Sequence, residues 1–165
     1  MDIFITGTGV ISALGNNTAE NLQGLLSEQS GIAKSSYRGK IDKYLGEVSL
    51  SNQTLQNELD VDGDVSRTAL LALKAALECF DDSRQIDLPT GVISGNSVGG
   101  MDLTERTYEG ILGESRDFTP LFSHPCGFST EFIAQNIAQA HFTNTISTAC
   151  SSGANAIVNA ANHMK

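Results

Sequence analysis

The passage from Asn144 to Ala161 constrains the fold more than any other part of this chain. A short β-prone run, Asn144–Ser147, meets the corner Thr148-Ala149-Cys150-Ser151-Ser152-Gly153, and an Ala-rich run from Ala154 to Ala161 follows. Alanine propagates helix better than any other residue, so the passage predicts a strand that turns directly into a helix. Two other β-prone runs also end in glycine-rich corners. Ile3–Thr6 leads into Gly7-Thr8-Gly9, and Gly91–Ser94 leads into Gly95–Gly100. Strands that alternate with helices in this way define a layered α/β protein.

Helical spacing fills the intervals. Val65 to Phe80 is the clearest helix, with Ala69, Leu70, Leu73, Ala76, Leu77 and Phe80 on one stripe. Asn17-Thr18 predicts a cap for a helix running to Leu26, with Leu22, Leu25 and Leu26 on one face. Further helices are expected over about 102–112 and 131–139. Residues 27–61 read as loop, with a short strand at Glu47–Leu50 and a basic cluster at Lys34, Arg38, Lys40 and Lys43. That cluster reads as a solvated face. With 165 residues and 40% hydrophobic content, one domain with a core of its own is expected.

Several function classes fall away. A formal net charge of -9 opposes binding to nucleic acid or to a membrane surface. No apolar run is long enough to span a bilayer, and Met1-Asp2-Ile3 lacks the basic start of a secretory signal. The three cysteines, Cys79, Cys126 and Cys150, form no CxxC or Cys/His ligand pattern. They argue against a disulfide framework or a structural metal and fit a reducing cytoplasm. Gly7–Ser12 has Ser12 where a dinucleotide-binding fingerprint needs its third glycine, so it reads as a tight turn. Gly95–Gly100 lacks the Lys-Ser/Thr of a phosphate-binding loop.

Cys150 is the candidate nucleophile. At a helix start, unpaired backbone N–H groups and the positive end of the macrodipole favour negative charge, and thiolate is the reactive form of cysteine. Cys79 lies in the apolar stripe of the long helix and reads as core, while Cys126, between Pro125 and Gly127, reads as loop. His124, His141 and His163 read as structural or exposed. His141 precedes the Cys150 strand, but nothing in the spacing brings it to the thiol, and His163 lies several turns along the helix.

Ile5–Gly15, Asn21–Ile32, Gly91–Gly100 and Ser147–Ala154, in that order, resemble the N-terminal part of a beta-ketoacyl-[acyl carrier protein] synthase of the elongating class, in the thiolase-like superfamily. The resemblance covers nearly all of the chain. It implies a layered αβαβα fold, of which this chain supplies an incomplete first half, with residues 1–165 as the N-terminal part of a ketosynthase domain. It implies that Cys150 takes an acyl group as a thioester from an acyl carrier protein and that a malonyl-carrier thioester decarboxylates and attacks it. Ala149, Val98 and Phe122 become substrate-binding positions, Phe122 reaching the partner subunit's pocket across a dimer interface, and Arg116 a carrier-docking position. No cofactor and no metal are implied. A homodimer, or a heterodimer with a related chain, would pair through the strand before Cys150.

Three departures bear on that expectation. The family's catalytic histidines, lysine and glycine-rich oxyanion segment lie in a second half, whereas this chain ends at Lys165, so the C-terminal half is expected elsewhere. Asp60–Asp64 stands where family members often present basic residues to the acidic carrier, and Asp117 follows Arg116. Ala140–Thr143 replaces a Gly-Pro element. The alternative reading is a non-catalytic partner that shapes the acyl cavity, as chain-length factors do. Those proteins typically have glutamine in place of the cysteine, so Cys150 argues against it. A degradative thiolase or an initiating synthase fits the residues around Cys150 less well.

Overall fold

The computed structural model describes residues 2–35, 43–80, 89–113, 117–137 and 140–165. Arg38, Lys40 and Arg116 lie outside them. Four strands and six α-helices are present among these residues. They are α1 (Thr18–Leu26), β1 (Ile32–Ser35), β2 (Lys43–Gly46), α2 (Asn52–Leu59), α3 (Arg67–Cys79), β3 (Gly91–Gly95), α4 (Met101–Leu112), α5 (Cys126–Ile137), β4 (Phe142–Ile146) and α6 (Ser152–His163).

α3 organises the core. Ser66 is buried, and its hydroxyl caps the helix by accepting from the Ala69 N–H at 3.2 Å. Leu55 from α2 joins Val65, Ala69 and Leu70 in a cluster closed over by Ile11, Leu50 and Phe132. Each fully buried leucine there contributes roughly 1.5–3 kcal/mol. α3 also packs on α5, whose Ser129, Thr130, Ile133 and Ala134 are buried.

β3 and β4 pair in parallel, from Gly91 opposite Phe142 to Gly95 opposite Ile146. Alternate side chains leave opposite faces of the pair, and two layers of helix use them. On one face, Ser94 and Thr145 bond the Thr130 hydroxyl of α5 at 2.5 and 2.6 Å. On the other, Asn144 donates to Asn159 of α6 at 3.1 Å. The layer order is therefore α6, the strand pair, α5, then α3 with α2.

Several elements differ from the sequence expectation, each for a local reason. Ile3–Thr6 is not a strand, because no described strand lies beside it to supply ladder bonds; Phe4 and Ile5 are exposed. The expected strand at Glu47–Leu50 is instead Lys43–Gly46, paired antiparallel with Ile32–Ser35. α2 was unanticipated; Ser51 caps it by accepting from the Thr54 N–H at 3.0 Å, and Leu55 packs inward. α5 begins at Cys126, not near Glu131, so Cys126 opens a helix instead of lying in a loop. Cys79 is exposed in the last turn of α3 and is not core. In α1 the leucines share a face as expected, but that face is exposed. Asn21 points inward, donating to Gly15 and Asn17 carbonyls and accepting from the Ser12 hydroxyl.

Candidate functional site

The corner that follows β4 is built from hydroxyls. Ala149–Ser151 forms a short 3-10 turn, and α6 starts at Ser152. Ala149 takes φ 51°, a left-handed conformation that costs a residue with a Cβ about 1–2 kcal/mol and turns the chain between strand and helix. The Ser152 hydroxyl, nearly inaccessible, accepts from the Thr148 N–H at 2.9 Å and donates to the Ala149 carbonyl at 2.7 Å. Ser151 donates to the Thr148 carbonyl at 2.8 Å, and Asn155 donates to the Thr148 hydroxyl at 2.9 Å. Inside this turn Cys150 is exposed, with a free thiol. Among the described residues no side chain caps the N terminus of α6; the Ser151 N–H donates to the Thr148 carbonyl at 3.2 Å and the Ser152 N–H to the Ala149 carbonyl.

The end of β3 closes against the same corner. A Cβ on Gly95 would sit 2.5 Å from the Ser152 carbonyl carbon, so only glycine permits this approach. Asn96 is fixed by its N–H to the Ile146 carbonyl at 3.0 Å, and its side chain accepts from the Val98 N–H at 2.9 Å and the Gly99 N–H at 3.1 Å. Ser97 then reaches the Ala149 carbonyl at 3.2 Å and the Ser152 hydroxyl at 2.8 Å. The structure thus joins the Val98 loop to the Ala149–Cys150 turn. Val98 is 52% exposed. Phe122 stands on the neighbouring 3-10 turn Thr119–Ser123, 76% exposed. It makes no described contact with the corner.

None of the three histidines meets the thiol. His141 is tied to Thr90 at the far end of the strand pair, its N–H donating to the Thr90 carbonyl at 2.7 Å and its Nδ1 accepting from the Thr90 N–H at 3.0 Å. Five residues of strand, roughly 16 Å, separate that end from the corner. His163 packs on Phe142, ring centroids 4.9 Å apart, at the same far end. His124 shares a 2.7 Å hydrogen bond with the Thr104 hydroxyl. A cleft of about 530 Å³ lies elsewhere, lined by Asn16, Glu20, Glu58, Lys74 and Glu78 between α1, α2 and α3. Its openness and mixed charge make it a surface groove rather than a pocket for an acyl chain. No described helix is long and apolar enough to cross a membrane.

Sequence reasoning found Cys150 and the glycine-rich loop but missed Ser97, Ser152 and Asn155. The signal was present in the density of Ser and Thr at a corner, since short hydroxyl side chains bond nearby backbone and hold turns.

Comparison with known proteins agrees with this architecture. The family described as beta-ketoacyl synthase, N-terminal domain, matches residues 1–165. The chain is 31% identical over 189 residues to "Putative 3-oxoacyl-[acyl-carrier-protein] synthase, mitochondrial" of Schizosaccharomyces pombe, covering 99% of this chain and 43% of that protein. It is 28% identical over 130 residues to "3-oxoacyl-[acyl-carrier-protein] synthase 2" of Coxiella burnetii, covering 73% of this chain and 31% of that protein. A solved structure, the ishigamide ketosynthase/chain length factor, superposes with a TM-score of 0.72 at 22% identity, over 97% of this chain and 48% of the other. The chain therefore spans less than half the length of each of these proteins. The strand–corner–helix unit, the layer order and the match along all 165 residues make this chain a member of the beta-ketoacyl synthase family, corresponding to its N-terminal domain and having the thiolase-like α/β fold.

Proposed function

We propose that this chain is the nucleophile-bearing N-terminal part of an elongating ketosynthase, with Cys150 as the acyl acceptor. The observation that carries the reading is the position of Cys150: exposed, in a strained turn, at the uncapped start of α6. In the first half-reaction the sulfur attacks the carbonyl carbon of an acyl-carrier thioester. The carbon–sulfur bond to the carrier breaks, and the carrier thiol leaves with a proton. In the second, a malonyl-carrier thioester loses carbon dioxide, its carbanion forms a carbon–carbon bond to the acyl carbon, and the Cys150 sulfur is released. The distance of His141 and His163 from the corner supports assigning the decarboxylation groups to a second half of the domain, beyond the span these residues match.

Ala149 and Val98 would flank the acyl group at the corner, and the exposed Phe122 would meet a second copy or a related chain across a dimer interface. Arg116 would contribute to carrier docking. The three free thiols support a reducing compartment such as the cytoplasm. The chain-length-factor alternative has no use for a nucleophile, and the presence of Cys150 disfavours it. The test is acyl transfer: the longest natural chain containing these residues is incubated with acyl carrier protein loaded with a saturated acyl chain, then digested and mapped by mass. Acyl mass on the Cys150 peptide, lost in Cys150→Ala, is expected. Absence of the adduct, or its appearance on Cys79, contradicts the reading.

A further inference from the structure

We infer that Ser97 is a positioning residue for the Cys150 turn, a role that rests on reading Cys150 as the nucleophile. Ala149 holds a left-handed conformation without being glycine, so neighbouring groups must keep it there. Its carbonyl receives the Ser152 N–H, the Ser152 hydroxyl at 2.7 Å and the Ser97 hydroxyl at 3.2 Å. Of these donors only Ser97 comes from outside the corner. The single Ser97 hydroxyl proton is shared between the Ala149 carbonyl and the Ser152 hydroxyl oxygen, 2.8 Å away, which also accepts from the Thr148 N–H.

Ser97 has a fixed base from which to act. Asn96, immediately before it, is bonded through its N–H to Ile146, the last residue of β4, and its side chain locks the Val98 and Gly99 amides. The Ser97 hydroxyl therefore connects the loop that presents Val98 to the turn that presents Cys150. Ser97 has no described contact with the thiol, and it acts through Ala149 and Ser152.

The experiment measures the rate of iodoacetamide labelling at Cys150 and Cys79 in one reaction, resolved by peptide mass, in the longest natural chain that contains these residues. Ser97→Ala is compared with Ser97→Thr, which keeps the hydroxyl; Ser97 is exposed, so the added methyl has room. Ser97→Ala is expected to slow labelling at Cys150 roughly three- to tenfold, the weight of one hydrogen bond. Cys79 labelling and the thermal midpoint should not change, and Ser97→Thr should restore the Cys150 rate. An unchanged Cys150 rate in Ser97→Ala overturns the inference, as does a matching loss at Cys79 or a failure of Ser97→Thr to rescue. Ser152→Ala, which removes both corner bonds, should slow Cys150 at least as much; a faster rate also overturns it. Acyl transfer to Cys150 in the unaltered protein is scored separately. Its failure refutes the nucleophile reading without altering what the labelling rates say of the clamp.

Discussion

Two glycine-rich segments press against helix ends in this chain, and they do so at opposite poles. Residues 7–10 lie across the last turns of α3, where a Cβ on Gly9 would fall 1.8 Å from the Ala75 carbonyl oxygen. Gly95 lies across the first turn of α6, where its Cβ would fall 2.5 Å from the Ser152 carbonyl carbon. Each contact stands beside an exposed cysteine: Cys79 at the carbonyl end of α3 and Cys150 at the amide end of α6. The Cys79 thiol donates to the Ala76 carbonyl at 3.1 Å, which is the ordinary fate of a thiol at a helix C terminus. Cys150 stands in the turn that opens α6 instead, at the positive end of that helix's macrodipole. Exposure alone does not separate the two residues; the pole of the helix does.

The largest expected effect tests the body that supports both ends. Leu70→Ala, at a fully buried site in α3, should destabilise by about 2–5 kcal/mol in denaturant unfolding. A cost near zero would mean that the α2–α3 cluster is not the core on which both contacts rest.

The glycines sharpen the comparison. Gly9→Ala and Gly95→Ala should each cost about 1–3 kcal/mol, since a methyl meets backbone that has to move. Only Gly95→Ala should also slow Cys150 labelling. Equal slowing by Gly9→Ala would show that the two contacts are not independent.

The smallest effect is confined to acid pH. Glu78 accepts from the Thr18 N–H at 2.6 Å and the Val10 N–H at 2.9 Å, strapping the N-terminal segment to α3. The Thr18 bond first, then the Val10 bond, holds its carboxyl below the ordinary 4.5. A depressed carboxyl contributes stability that is present above its unfolded value and is lost as pH falls through the folded one. The thermal midpoint of Glu78→Gln should therefore lie below that of the unaltered protein at pH 7, with the gap shrinking below about pH 4.5. A gap independent of pH would mean that the charge on Glu78 is not what holds the strap.

These two ends also show what a sequence reading can and cannot recover. α3 was legible because Ala69, Leu70 and Leu73 repeat at helical spacing, and burial follows that pattern. The Cys150 corner was legible because a β-prone run, a Ser/Thr-rich turn and an Ala-rich run must form strand, corner and helix. Cys79 was misread as core because the stripe that buries Leu70 and Leu73 reaches the surface by the last turn. Ile3–Thr6 has strand composition, but a strand needs a neighbour, and pairing is not written into a segment's own residues. The Ser97 contact spans more than fifty residues, from the loop after β3 to the corner after β4, so local pattern gave no sign of it.

The central claim, that the corner and not exposure makes Cys150 reactive, is tested most directly by competitive alkylation of the unaltered protein near neutral pH with substoichiometric iodoacetamide and peptide mapping. Cys126, half-buried at the first residue of α5, serves as a control for a helix start without a clear path to solvent. The account predicts that Cys150 is modified well ahead of both Cys79 and Cys126. Labelling of Cys79 at the same rate as Cys150 would contradict it.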